Sequence, residues 1–154
     1  MSGLRLDHVA IPVANAAASH RFYREVLELP LVQALSGEDW GGCDWLMMIF
    51  GLADGRQLAL VALDGAAPAK DTLPRDARHL AFAATSKREL AAWQRRFEGY
   101  GVEHWLEDHG AQQSIYFVDP DGAVLEITAP ATPDVAATSK DADDVIRTWL
   151  AERA

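Results

Sequence analysis

The chain has little cysteine, no long apolar run and few basic residues, and each shortage excludes a class of protein. Its single cysteine, Cys43, leaves no partner for an internal disulfide. Fourteen Lys and Arg against 23 Asp and Glu give a formal net charge of -9, so no basic surface offsets the repulsion of a nucleic acid. No apolar stretch resembles a signal peptide or a membrane span. We therefore expect a cytoplasmic protein with no membrane or nucleic-acid partner.

The chain contains an internal repeat. LDHVAIPVAN (6–15) and RHLAFAATS (78–86) each form an alternating strand pattern with one histidine, followed by a helix start. His8 and His79 are 71 positions apart, and so are the expected helix caps Asn15 and Ser86. Farther along, MMIFGLADGRQLALV (47–61) matches SIYFVDPDGAVLEIT (114–128) at a shift of 67. The pattern predicts a duplicated unit, shortened by one loop, with His8 and His79 facing each other across a pseudo-symmetric site.

Each unit is predicted to run strand, helix and then three strands. The 154 residues, 49% of them hydrophobic, suffice for one core shared by two such units. We assign a first module at 1–64, a linker at 65–76, a second module at 77–130 and a tail at 131–154. The predicted helices cover 16–28, 87–98 and 142–153, and the predicted strands 5–13, 31–36, 44–50, 57–63, 77–84, 102–107, 113–118 and 123–128.

Strand alternation groups the polar side chains on one face, because residues two apart share a side of the pleat. Glu126 lies within an apolar strand, where an unpaired carboxylate is costly. Two imidazoles and one carboxylate, His8, His79 and Glu126, form the triad that suits Fe(II), Mn(II) or a similar divalent ion. The alternative is that both histidines are ordinary structural residues and that Glu126 is exposed. The equivalent repeat positions favour the metal site.

The segments LDHVAIPV, FYREVLEL, RHLAF and YFVDPDGAVLEI, in this order and spacing, resemble the vicinal oxygen chelate superfamily of glyoxalases, bleomycin resistance proteins and extradiol dioxygenases. The resemblance covers residues 4 to 130. It implies an α+β fold in which two tandem βαβββ modules form an incomplete, curled mixed β-barrel with flanking helices. It also implies a divalent metal that chelates two adjacent oxygens of a small substrate. A homodimer is typical of the family.

The resemblance implies metal ligands at His8, His79, Glu126 and Ala59, and alanine cannot serve as one. The missing ligand counts against a glyoxalase-like lyase or isomerase, whose first module supplies a glutamate. Three ligands favour extradiol ring cleavage of a small vicinal diol with Fe(II), while Mn(II), Zn(II) or Ni(II) are possible ions. Tyr116 is then expected to orient the bound oxygen and His109 to move a proton.

Two alternatives to ring cleavage stay open. A fosfomycin-type transferase needs a cationic pocket for a phosphonate, and no Lys or Arg occurs between residues 97 and 139. A binder that sequesters a small hydrophobic molecule in the same cleft needs no metal at all. Stoichiometric metal separates this binder from the enzymes.

Overall fold

The computed structural model describes residues 5–66, 74, 76–131 and 142–153. Most of the predicted linker (67–73 and 75) and the start of the predicted tail (132–141) lie outside the described residues. The first module contains β1 (His8–Val13), α1 (Ala16–Arg21) with a π-helical turn (Phe22–Val26), β2 (Leu31–Trp40), β3 (Cys43–Gly51) and β4 (Gln57–Leu63). The second contains β5 (His79–Ala83), α2 (Lys87–Tyr100), β6 (His104–Asp108), β7 (Gln113–Val118) and β8 (Val124–Ala129), and α3 (Ala142–Ala151) follows.

The strands form two four-stranded mixed sheets, and the predicted α+β class with two βαβββ modules is confirmed. The strand orders are β1-β4-β3-β2 and β5-β8-β7-β6, so each module builds one sheet and neither sheet closes into a barrel. In each sheet the first strand is parallel to the last and lies at an edge. No described helix is long and apolar enough to cross a membrane.

The sheet registers confirm the repeat residue by residue. In the first sheet, Ala59 of β4 pairs with Ala10 of β1 and Ile49 of β3. In the second sheet, Glu126 of β8 pairs with Ala81 of β5 and Tyr116 of β7. The shifts between these strands are the 71 and 67 positions read from the sequence.

Several predicted boundaries differ from the structure, among them the start of β1 at His8 rather than residue 5, and two of the differences have a clear physical reason. β2 extends to Trp40 rather than residue 36, because Gly41 and Gly42, at φ 62° and 85°, form a tight turn that lets Trp40 pair with Cys43. The first helix is α-helical only to Arg21, and its last part is the π-helical turn. The N-caps Asn15 and Ser86 are confirmed, since their side chains accept from the backbone N–H of Ala18 and Glu89.

One apolar core joins the two modules. α1 packs on β4 and α2 on β7 and β8, while α2 also contacts the π-helical turn. The core therefore takes side chains from both modules, including Tyr23, Phe50, Phe97, Phe117 and Leu125. Arg96 of α2 reinforces the contact, because its guanidinium donates to the backbone carbonyls of Glu25 and Val26.

Each sheet turns one face toward this core and the other face away from it. Val9 and Ile11 of β1, and Leu80 and Phe82 of β5, pack against the core. Their neighbours in the alternation therefore point away from the core, and these include both histidines. We call the two faces directed away from the core the outer faces. His8 lies on the outer face of the first sheet, and His79 on that of the second.

α3 forms where the amphipathic pattern predicted a helix, but it buries none of its residues against the described part of the chain. Its apolar side chains are all more than half exposed: Val145, Ile146, Trp149 and Leu150.

Candidate metal centre

His79 and Glu126 are brought together by two neighbouring strands. β5 and β8 run parallel, and their register places the His79 imidazole Nε2 2.9 Å from the Glu126 carboxylate Oε2. The other ring nitrogen, Nδ1, lies 2.8 Å from the backbone carbonyl of Asp76. A carbonyl only accepts hydrogen bonds, so Nδ1 carries a proton and donates it.

This tautomer has a consequence for Nε2. In a neutral imidazole with Nδ1 protonated, Nε2 is unprotonated and presents a lone pair to the Glu126 oxygen. Two acceptors at 2.9 Å repel each other unless a cation lies between or beside them, either the proton of an imidazolium or a metal ion. A neutral imidazole nitrogen and a carboxylate are also ordinary ligands of borderline divalent metals. The pair therefore fits a divalent ion.

The Glu126 carboxylate is held by a hydrogen bond from a serine hydroxyl, which lies beside a threonine hydroxyl. It is 7% exposed, and its Oε1 accepts a hydrogen bond of 2.5 Å from the Ser114 hydroxyl of β7. Thr128 Oγ1 lies 3.1 Å from the same hydroxyl. Hydrogen bonds of this kind fix the orientation of a ligating carboxylate. The strand alternation predicted that Ser114 and Glu126 share a face, and the structure confirms it.

Tyr116 and His109 lie beside the pair. The Tyr116 ring contacts the His79 ring edge-on at 5.4 Å, and its hydroxyl lies 3.4 Å from Nε2 of His109. Burial, followed by the nearby charge of Glu126, raises the pKa of Tyr116 to about 12. The Tyr116 hydroxyl therefore remains protonated and can donate a hydrogen bond at neutral pH.

Two further residues of this face were given no role by the sequence patterns. Trp105 of β6 stacks on Tyr116 with ring centres 5.4 Å apart, and its indole N–H donates to Glu107 at 2.9 Å. Glu107 also lies 3.8 Å from Nε2 of His109. Alternation along HWLED places Trp105 and Glu107 on one side, and that signal could have predicted their position.

His8 is not among the described contacts of these residues, and the prediction that His8 and His79 face each other stays a prediction. Its Nδ1 lies 2.8 Å from Asp7, and the imidazole is largely exposed. Among the residues that the structure describes, no three His, Cys, Asp or Glu side chains form a group suited to a metal. The reason is the shared core, which turns the outer faces of both sheets outward.

Two fused βαβββ modules, each building one mixed four-stranded sheet, define the class of fold to which this chain belongs. Residues 5–127 match the model of the Glyoxalase/Bleomycin resistance protein/Dioxygenase superfamily. The chain belongs to this superfamily, the vicinal oxygen chelate superfamily.

Named relatives in this superfamily have different activities. The chain is 26% identical over 122 residues to glutathione transferase FosA of Serratia marcescens, covering 79% of this chain and 78% of that protein. Lactoylglutathione lyase from Agrobacterium tumefaciens is 25% identical, with a TM-score of 0.60 over 80% of this chain and 92% of the other. The fosfomycin resistance protein FosX from Listeria monocytogenes, complexed with Mn(II) and 1S,2S-dihydroxypropylphosphonic acid, is 21% identical. Its TM-score is 0.62 over 85% of this chain and 94% of the other, a likeness of fold.

Proposed function

We propose that this protein is a divalent-metal-dependent enzyme that binds a small substrate through two adjacent oxygens. The observation that carries the proposal is the contact of 2.9 Å between His79 Nε2 and Glu126 Oε2, an imidazole nitrogen and a carboxylate oxygen that a proton or a divalent ion can join. FosX, a relative in fold, is complexed with Mn(II). Fe(II) remains our first choice of metal and Mn(II) the second, because both accept nitrogen and oxygen ligands and leave positions open.

The third ligand in this proposal is His8 of a second copy. The outer faces of one chain point away from the shared core, and no described contact joins His8 to its own His79 or Glu126. β1 and β5 are edge strands, and each has one edge without a described neighbour in its sheet. A homodimer that places the β1 of one copy near the β5 of the other brings His8 to the His79–Glu126 pair.

A divalent ion bound here supplies Lewis acidity toward the two substrate oxygens, which lowers their pKa values. Tyr116 donates a hydrogen bond to one of those oxygens from its hydroxyl. His109, whose Nε2 lies 3.4 Å from that hydroxyl, accepts or returns a proton at the edge of the site. Trp105 holds the Tyr116 ring by stacking, and Glu107 restrains Trp105 through its indole N–H.

Ring cleavage of a small vicinal diol is the reaction we favour. Trp105 and Tyr116 provide an aromatic surface next to the metal-binding pair, which suits a ring substrate. Ala59 in place of a fourth ligand leaves an additional open position. A second candidate, modification of a fosfomycin-like epoxide, is favoured by the 26% identity to FosA.

One panel tests these functions. The protein is loaded anaerobically with Fe(II) or Mn(II), and bound metal is counted. The Fe(II) form is then mixed with O2 and catechols, and the Mn(II) form with fosfomycin and glutathione or water. We expect one metal per chain and ring-cleavage absorbance, both lost in Glu126→Gln. Loss of fosfomycin without ring cleavage would establish the second candidate.

Substitutions of Tyr116 and His109, beside the proposed metal site, separate the loss of catalysis from the loss of metal. Tyr116→Phe and His109→Gln are expected to retain the metal but lower kcat by 10²-fold or more, the usual scale for a proton-transfer group. A protein without stoichiometric metal, whose Tm is unchanged by Fe(II), Mn(II), Zn(II) or Ni(II), would instead be a binder and would overturn the proposal.

A further inference from the structure

The outer faces of the two sheets have equivalent strand registers, but the second sheet carries polar side chains at positions where the first carries apolar ones. In the second sheet this face carries Glu126, Thr128, Tyr116, Ser114 and Glu107. The positions in register with them in the first sheet are all apolar: Ala59, Val61, Ile49, Met47 and Leu35. The duplication thus kept one histidine in each module but placed the carboxylates and hydroxyls of this face in the second module, while the first retains the amides Gln33 and Gln57 beside its apolar positions.

The first sheet also has an aromatic corner on its outer face. Trp45 lies across Gly37 of β2, where a Cβ atom would come within 2.8 Å of the indole. Trp40 meets Trp45 edge-on at 5.7 Å. Gly37 therefore makes room for the indole against the strand, and the two tryptophans extend the apolar face at its rim.

The described strands supply no Lys or Arg side chain to either outer face, because none of the eight contains one. The outer face of the second sheet has the carboxylates of Glu107 and Glu126 instead. An anionic group on the substrate, away from the chelated oxygens, would meet apolar side chains on one sheet and negative charge on the other.

We infer that the substrate is an uncharged amphiphile, with two adjacent oxygens on an apolar aromatic or branched aliphatic body and no phosphonate or carboxylate tail. This inference rests on the proposed function, since the two outer faces meet only if a second copy brings His8 to the metal-binding pair. The second sheet then binds the oxygens. The first sheet of the other copy, through Met47, Ile49 and Val61, packs on the apolar body.

The inference is tested by ligand affinity rather than by turnover. The full chain, loaded with Mn(II) under anaerobic conditions, is titrated by calorimetry with catechol, 4-tert-butylcatechol and 3,4-dihydroxybenzoate. The tert-butyl group adds four carbons, and burying one CH₂ contributes about 0.8 kcal/mol. We expect 4-tert-butylcatechol to bind at least about tenfold more tightly than catechol, and the carboxylate to bind more weakly than catechol.

Substitutions in the first sheet test whether that sheet causes the preference for 4-tert-butylcatechol over catechol. Val61→Thr keeps the shape of the side chain and copies Thr128, and Leu35→Glu copies Glu107 at an exposed position that tolerates charge. Each is expected to lower the ratio of 4-tert-butylcatechol to catechol affinity by about threefold or more, with metal stoichiometry unchanged. Val145→Thr is the matched control, because Val145 lies on α3, outside both sheets, and is 65% exposed, so its ratio should equal the wild-type ratio.

The outcomes separate the two proposals. If the protein takes up no Mn(II), the proposed function fails and this inference fails with it. If Mn(II) and catechol bind but the tert-butyl preference is absent, or the carboxylate binds most tightly, only the inference is overturned. A preference that Val61→Thr and Leu35→Glu leave intact also overturns it, because the first sheet would then be covered by protein rather than by substrate.

Discussion

Ala59 and Glu126 occupy the same register position in the two sheets. Each lies on a last strand between the first strand and the third, and each has an alanine, Ala10 or Ala81, as its parallel neighbour. On the antiparallel side Ala59 pairs with Ile49, where Glu126 pairs with Tyr116. A carboxylate and its flanking hydroxyl are therefore absent together from the first module, and this asymmetry leaves three protein ligands in the metal site that we propose.

Ala59→Glu tests whether this position borders the metal. Ala59 is 5% exposed, and His8 stands to position 59 as His79 stands to Glu126, so the new carboxylate would be buried with one imidazole beside it and should lower the Tm of the metal-free protein. Mn(II) should then raise the Tm of the variant more than that of the wild type, because the metal gains a ligand. Thermal unfolding with and without Mn(II) measures both effects.

Ala59→Gln is the control for this substitution, since it adds a similar side chain without the charge. We expect a smaller loss of stability, because a neutral amide costs less to bury than a carboxylate, and no additional gain from Mn(II). An equal Mn(II) effect in both variants would place position 59 away from the metal.

Ser114→Ala is expected to weaken metal binding without unfolding the protein. The Ser114 hydroxyl donates to Glu126 Oε1 at 2.5 Å and is fully buried. Loss of a partner that orients a metal ligand reduces affinity by roughly 10- to 100-fold. Competition of the Mn(II)-loaded protein with a chelator gives the affinity. Ser36→Ala, at an exposed position of β2, should leave the affinity unchanged, and an equal loss there would refute a specific role for Ser114.

Tyr23→Phe removes a buried hydrogen bond that joins the modules. The Tyr23 hydroxyl of the first module donates to Asp119 Oδ2 of the second at 2.9 Å. Burial, followed by the charge of Asp119, raises the pKa of Tyr23 well above its usual range, so the hydroxyl remains a donor. Without it a buried carboxylate oxygen loses its partner, at a cost of about 1–3 kcal/mol. Denaturant unfolding measures the change.

Tyr100→Phe provides the comparison, because Tyr100 is 53% exposed. Surface substitutions usually change the free energy of unfolding by less than about 0.5 kcal/mol. Equal effects of the two substitutions would mean that the Tyr23–Asp119 bond contributes little.

The sequence predicted the two modules, the internal repeat and which side chains of a strand lie on the same face of the sheet, because these follow from local periodicity. Glu126, Ser114 and Tyr116 lie together as alternation along β7 and β8 requires. Alternation does not say which faces of separate sheets meet, and the placement of His8 opposite His79 therefore stays a prediction. The apolar strand residues identify a core face in each module, but only packing of the helices decides that both faces enter one core.

The other differences between the predicted and the observed structure have similar physical causes. The extension of β2 depended on two glycines with positive φ, whose effect on strand pairing appears only once the hairpin is formed. The apolar stripe of α3 predicted a helix correctly, since periodicity is intrinsic to the segment. Periodicity does not identify a partner for the stripe, and the described residues of this chain provide none.

Asp119→Asn tests a pH dependence that arises from burial. Asp119 is 4% exposed, and burial raises its pKa above the ordinary value of 3.8 despite hydrogen bonds from Tyr23 and two backbone N–H groups. Between 3.8 and the raised pKa, the native state holds more protons than the unfolded state. The stabilisation from this group is therefore complete below 3.8 and is lost as the pH rises through the native pKa.

Asparagine keeps an oxygen for the backbone N–H groups but does not titrate. The free energy of unfolding of the wild type minus that of Asp119→Asn should therefore fall as the pH is raised from below 3.8 toward neutrality. Subtracting the two free energies of unfolding removes the contributions of the other carboxylates, because these titrate in both proteins. Urea unfolding at a series of pH values measures it. A difference that rises with pH would mean that the hydrogen bonds from Tyr23 and the backbone outweigh burial and hold the Asp119 carboxylate ionised.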